Sequence, residues 1–156
     1  MISESTIDEC IELLAKNETD YLQAMSDDQP VLAGYLNAED IEAFTPEETQ
    51  YLYYLAVLIW MCFNKTYPEI DEIEEETLSL REEQNWHRIQ TLRPSTIKNI
   101  FDRILPESRE QELLFYLEDA LQIDDEDPEH PMTRPAQIPM LTTLITVVDV
   151  MTEASR

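Results

Sequence analysis

The side chains here that could do chemistry are two histidines, two cysteines and 34 carboxylates, and what they can do depends on their spacing. A di-iron helical bundle takes a Glu-x-x-His pair from each of two helices and a further Glu from each of the other two. Neither histidine fits. Gln84 stands three residues before His87, and Asp127, in a proline-rich stretch, stands three before His130. Zinc sites favour clustered Cys and His, whereas Cys10, Cys62, His87 and His130 are scattered. The run Asp124, Asp125, Glu126 and Asp127 offers hard oxygen ligands, but a calcium loop alternates its ligands around a Gly that this run lacks. A solvated acidic loop is the expectation. Cys10 and Cys62 sit among apolar residues without a neighbouring base, so both are expected to be reduced, buried and inert. Adjacent carboxylates such as Glu74, Glu75 and Glu76, or Glu118 and Asp119, diverge by about 100° per residue on a helix and cannot pair on one face. No catalytic, cofactor or metal site is organised in the sequence.

The elements that would position such groups are helical. Residues 51–63 contain no charge, amide, Gly or Pro, and a helix apolar on every side must be enclosed. Thirteen residues rise only about 20 Å, short of the roughly 20 residues that cross a bilayer, so protein is the expected enclosure. Thr45, Pro46 and Glu48 form a capping-box signature that starts this helix, and Pro68 closes it. Trp60→Ala and Leu58→Ala are each expected to cost about 3 to 5 kcal/mol.

Around it, residues 4–25 show an amphipathic stripe of Ile7, Ile11, Leu14, Leu22 and Met25, divisible near Lys16 to Asp20. A short helix follows from Pro30 to about Leu36, and its Gly34 either permits close packing or weakens the helix. A further turn from Ala38 to Phe44 places Ile41 and Phe44 on the core. Residues 69–92 are expected to form a long, acidic outer helix ended by Pro94. Its line of Ile70, Ile73, Thr77, Leu80, Gln84 and His87 competes with a second of Leu78, Trp86, Ile89 and Leu92. Ser95 or Thr96 caps the stripe Ile97, Ile100, Phe101 and Ile104, and Ser108 with Gln111 forms a second capping box before Leu113, Leu114, Leu117, Ala120 and Leu121. The last helix starts at Thr133, with Leu141, Leu144, Ile145, Val148 and Met151 facing the core and Thr142, Thr143, Thr146 and Asp149 largely opposite. The spacing therefore predicts a single all-α domain over residues 1–156, of six or seven helices packed round residues 47–64.

Charge sets the functional expectation. Ten bases against 34 acids leave −24, a field that repels phosphate backbones and anionic membranes. The acidic N-terminus lacks the basic, then apolar pattern of a signal peptide, and the cytoplasm is the expected compartment. The leading expectation is a non-catalytic binding or regulatory protein that meets a basic partner, analogous to immunity proteins and inhibitors by charge alone. DNA mimicry by rows of carboxylates is the alternative, and an enzyme whose site exists only in the fold is the least favoured. The candidate partner-binding residues are Glu74, Glu75, Trp86 and His87 on the outer helix, and Asp124, Asp125, Glu126 and Asp127 in the acidic loop. Trp86 is either a plug into the core or an exposed anchor.

Overall fold

The computed structural model describes residues 1–38, 44–92, 96–123, 126–127 and 130–156. Among these lie seven helices: α1 (Glu4–Asp28), α2 (Pro30–Ala38), α3 (Pro46–Thr66), α4 (Glu75–Thr91), α5 (Ile97–Ile104), α6 (Gln111–Ala120) and α7 (Arg134–Ala154), with a 3-10 turn at Leu105–Glu107. The fold is all-α, as the periodicity requires. The turn placed at Ala38 to Phe44, the ending at Pro94 and the cap at Ser95 fall on or against residues outside those described.

The start of α3 is fixed by its capping box. Thr45 Oγ1 accepts from the Glu48 N–H at 3.1 Å, and Glu48 Oε1 accepts from the Thr45 N–H at 2.9 Å. Leu55, Ala56, Leu58, Ile59, Cys62 and Phe63 have no exposed surface. Trp60 departs from the expected enclosure. It is half-buried, and its indole N–H donates to Asp28 Oδ2 at 2.8 Å.

The core has two inner helices rather than one. Residues 140–148 of α7 are all buried, including Thr142, Thr143 and Thr146, which the periodicity placed largely away from the core. For Thr142 and Thr146 the hydroxyls explain the burial. Thr142 donates to the Ile138 carbonyl and Thr146 to the Thr142 carbonyl, each at 2.8 Å. A threonine bonded back to its own helix presents mainly its methyl group and packs as a β-branched apolar residue. By length and apolarity α7 matches a membrane-crossing helix, but 67% of its apolar window is packed inside the protein.

The other helices lean on these two. α1 packs on α3, and both α3 and α4 pack on α7. Ser3 caps α1, and the helix is interrupted at Asn17, whose φ of −159° is extended. Before the interruption Glu9 pairs with Lys65 at 3.1 Å. Beyond it Asp28 reaches Trp60, so the second half returns toward the middle of α3.

α4 begins at Glu75, later than the expected start at residue 69. The segment before it is extended and paired on both edges. Asp71 N–H donates to the Ala154 carbonyl at 2.8 Å and Arg156 N–H to the Glu69 carbonyl at 2.9 Å, making an isolated antiparallel bridge between Ile70 and Ser155. On the other side the buried Gln29 amide donates to the Asp71 carbonyl at 3.0 Å and accepts from Ile73 N–H at 2.9 Å. One side chain thus supplies the hydrogen bonds of a neighbouring strand. Of the two competing stripes on α4, the second is the buried one, with Leu78, Asn85 and Ile89 inward and Leu80 57% exposed.

The Ser108 and Gln111 capping box does not form. Ser108 Oγ accepts from Glu110 N–H at 3.0 Å, Gln111 donates to the Leu105 carbonyl, and α6 starts after Glu110 without a side-chain cap. Thr133 precedes α7 as expected, yet its hydroxyl donates to Glu48 instead of capping its own helix.

Candidate functional site

The outer face of α4 carries a depression lined by Ser79, Glu82, Glu83, Trp86, His87 and Gln90. The spacing of three and four residues puts all six on one side of the helix. Trp86 lies on the shoulder between this face and the core. It is half-buried while it lines the depression, intermediate between the plug and the anchor. His87 is exposed beside it. Glu75 lies on the same face one turn before Ser79, and Glu74 precedes the helix as an N-cap whose side chain makes no capping bond.

A second, more apolar groove adjoins the first. It runs between α2 and α4, lined by Val31, Gly34, Tyr35, Glu75, Leu78 and Ser79, and Ser79 belongs to both. Gly34 forms part of its wall. A Cβ built there meets nothing within 4 Å, so the glycine does not serve close packing within the chain.

Of the other candidate residues, the two that are described do not join this surface. Glu126 and Asp127 are exposed in the connection between α6 and α7, and neither lines the depression or the groove. Asp124 and Asp125 lie outside the described residues.

Several polar groups are buried where sequence periodicity gave no signal. Glu110 has no exposed surface and is the centre of a junction. Its Oε2 accepts from the Ile2 N–H at 2.9 Å, its Oε1 accepts from the Tyr67 hydroxyl at 2.5 Å, and Arg109 Nε lies 3.5 Å away. The Arg109 guanidinium also stacks over the Tyr67 ring at 4.6 Å and donates to Ser155 Oγ and the Thr152 carbonyl. Burial, followed by the nearby Glu110 carboxylate, pushes the Tyr67 phenol up to about 12. Glu48 plays the same part at the other end of α3: besides closing the capping box, its Oε2 accepts from Thr133 N–H and Oγ1 at 2.9 and 3.0 Å. Between α4 and α7, Asn85 donates to Thr146 Oγ1 and to Asp149 Oδ2, each at 3.1 Å. Burial raises the Asp149 carboxyl despite Asn85, Arg81 and Arg88.

The Glu48 and Glu110 carboxylates resemble catalytic groups in their burial, but both oxygens of each are occupied by fixed donors of the fold. Among the described residues no three His, Cys, Asp or Glu side chains converge as metal ligands. Glu48 and Glu110 hold helix ends together, and neither lines the depression or the groove.

Searches against protein-family models, curated proteins and solved structures find no match to the chain.

Proposed function

We propose that this chain is a non-catalytic binding protein of the cytoplasm whose α2–α4 surface receives a basic segment of a partner protein. The observation that carries this reading is Trp86, partly exposed among Glu82, Glu83 and His87 in a depression that adjoins an apolar groove. An amphipathic helix is the occupant that suits it. One apolar side chain would lie against Val31, Tyr35 and Leu78, while an Arg or Lys would meet Glu82 and Glu83 and stack on the Trp86 ring, a contact of about 0.5–2 kcal/mol.

The charge balance supports the same reading. Six of the ten basic side chains form ion pairs among the described residues: Lys65, Arg81, Arg88, Lys98, Arg109 and Arg156. The chain's few cations are largely spent within it, and most of its carboxylates stay on the surface. Such a field speeds the approach of a cationic partner and rejects anionic ones.

The test is affinity capture from the native cytoplasm at low and high salt, with the wild-type chain beside Trp86→Ala and Glu82→Gln/Glu83→Gln. A basic protein retained at low salt and bound about 10-fold or more weakly by Trp86→Ala is expected, as for an interfacial hot spot. A partner that binds nucleic acid, is displaced by duplex DNA and is insensitive to Trp86→Ala would favour DNA mimicry. Finding no salt-sensitive partner would remove the proposal.

A further inference from the structure

Cys10 and Cys62 are separated by more than fifty residues and sit on different helices, α1 and α3. The fold brings them together. Both are free thiols with no exposed surface, they belong to one core where α1 packs on α3, and the two side chains interact across that seam. Glu9, next to Cys10, and Lys65, three residues after Cys62, form an ion pair across the same seam. We propose that Cys10 and Cys62 are a redox pair, converted by a small hydroperoxide into an intramolecular disulfide that staples the first half of α1 to α3.

The two thiols have unequal roles. The neighbouring Cys62 thiol holds Cys10 below the usual thiol range, and Lys65 acts in the same direction, while the same contact and burial push Cys62 up. The thiolate is the nucleophile, so Cys10 attacks first. Its sulfur bonds to one peroxide oxygen, the O–O bond breaks, and the departing hydroxide takes a proton to leave as water. Cys10 is then a sulfenic acid. Cys62, already in contact, loses its proton and attacks the Cys10 sulfur. The S–S bond forms, the S–O bond breaks, and the second oxygen leaves as water. Two thiols lose two electrons and two protons, and one hydrogen peroxide becomes two waters.

Burial selects the oxidant by size. Both sulfurs are enclosed, so only a reagent small enough to pass through fluctuations of the packed α1–α3 seam reaches them, and the adjacent resolving thiol closes the disulfide before a second peroxide arrives. The cross-link would close a loop of about 50 residues, which limits the unfolded ensemble and favours the folded state.

The experiment treats the full native chain with hydrogen peroxide, then denatures, alkylates and maps it by mass spectrometry. A monomer two hydrogens lighter, with a Cys10–Cys62 linked peptide and a higher urea midpoint that reverts on reduction, is expected. In Cys62→Ser, Cys10 should instead accumulate as a sulfenic acid trapped by dimedone. Wild-type thiols still fully alkylatable after a dose that oxidises the same cysteines in the denatured chain would overturn the proposal. So would disulfide-linked dimers or separate sulfinic acids as the main product. The wild-type result decides the matter even if the serine variant fails to fold.

Discussion

At the scale of single residues, the buried carboxylates show how environment outweighs residue type. Glu107 and Glu110 are three apart in sequence. Glu107 is exposed and pairs with Arg88 at the surface, whereas Glu110 is enclosed and satisfies the Ile2 amide and the Tyr67 hydroxyl. Glu110→Gln turns one acceptor into a donor facing those groups and should cost about 3 kcal/mol in urea unfolding, as breaking a buried pair does. Glu107→Gln should cost under about 1 kcal/mol. Equal costs for the two would refute the junction. Asp149 tests the opposite sign. Its folded-state pKa is raised from 3.8, chiefly by burial, so the folded state binds the proton more tightly than the unfolded chain. Its ionised form opposes folding above the folded-state pKa, and that opposition disappears as pH falls through that pKa toward 3.8. Asp149→Asn keeps an oxygen to accept from Asn85. It should be more stable than wild type near pH 7, with the gap narrowing toward pH 4; a destabilised variant at pH 7 would mean that Arg81 and Arg88 outweigh burial.

At the scale of elements, local rules succeed where one helix's own chemistry decides and fail where a neighbour does. The α3 capping box needs only Thr45, Pro46 and Glu48 and was legible; Thr45→Ala should cost about 1 kcal/mol in urea unfolding. The stripes of α5 and α6 were legible for the same reason. The start of α4 was not, because residues 69–74 are held extended by Gln29 on one edge and the chain terminus on the other, contacts that periodicity does not encode. The second face of α7 was hidden by hydroxyls that return to their own backbone. Cys10 and Cys62 were each read as buried, correctly, but their meeting depends on how α1 packs. The candidate surface was half legible: Glu75, Trp86 and His87 share a face of one helix, while the groove they adjoin needs α2 beside it. Gly34 gave two readings, and the open space at its Cβ decides between them. With φ suited to a helix and nothing to strike, Gly34→Ala should raise stability by about 0.5–1 kcal/mol. A loss in thermal or urea unfolding would show that the glycine has a contact of its own.

At the scale of the whole molecule, the two ends of α3 are pinned by groups that respond to alkali together. Near its start Tyr51 stacks on Tyr54 and donates to the Ala120 carbonyl at 2.9 Å, which ties α3 to the end of α6. Tyr54 in turn interacts with Tyr116 of α6. At its end Tyr67 ties α3 to Glu110. Burial is the main cause that pushes Tyr51 and Tyr67 up to about 12 from an ordinary 10.0, and Tyr54 and Tyr116 also upward. A phenol raised in this way favours the folded state with its proton on. Its contribution is complete below pH 10 and is lost as pH climbs from 10 to about 12, because the unfolded chain releases the proton first. Each ionisation also adds to a net charge already at −24, so self-repulsion grows in the same window. Tyrosinate absorbance from these junctions and loss of helical circular dichroism should therefore rise together between about pH 10 and 12. Added salt should move the transition upward by screening the repulsion. Phenols that all titrate near pH 10 while the helices stay intact would mean that the junctions at the two ends of α3 do not hold the fold together.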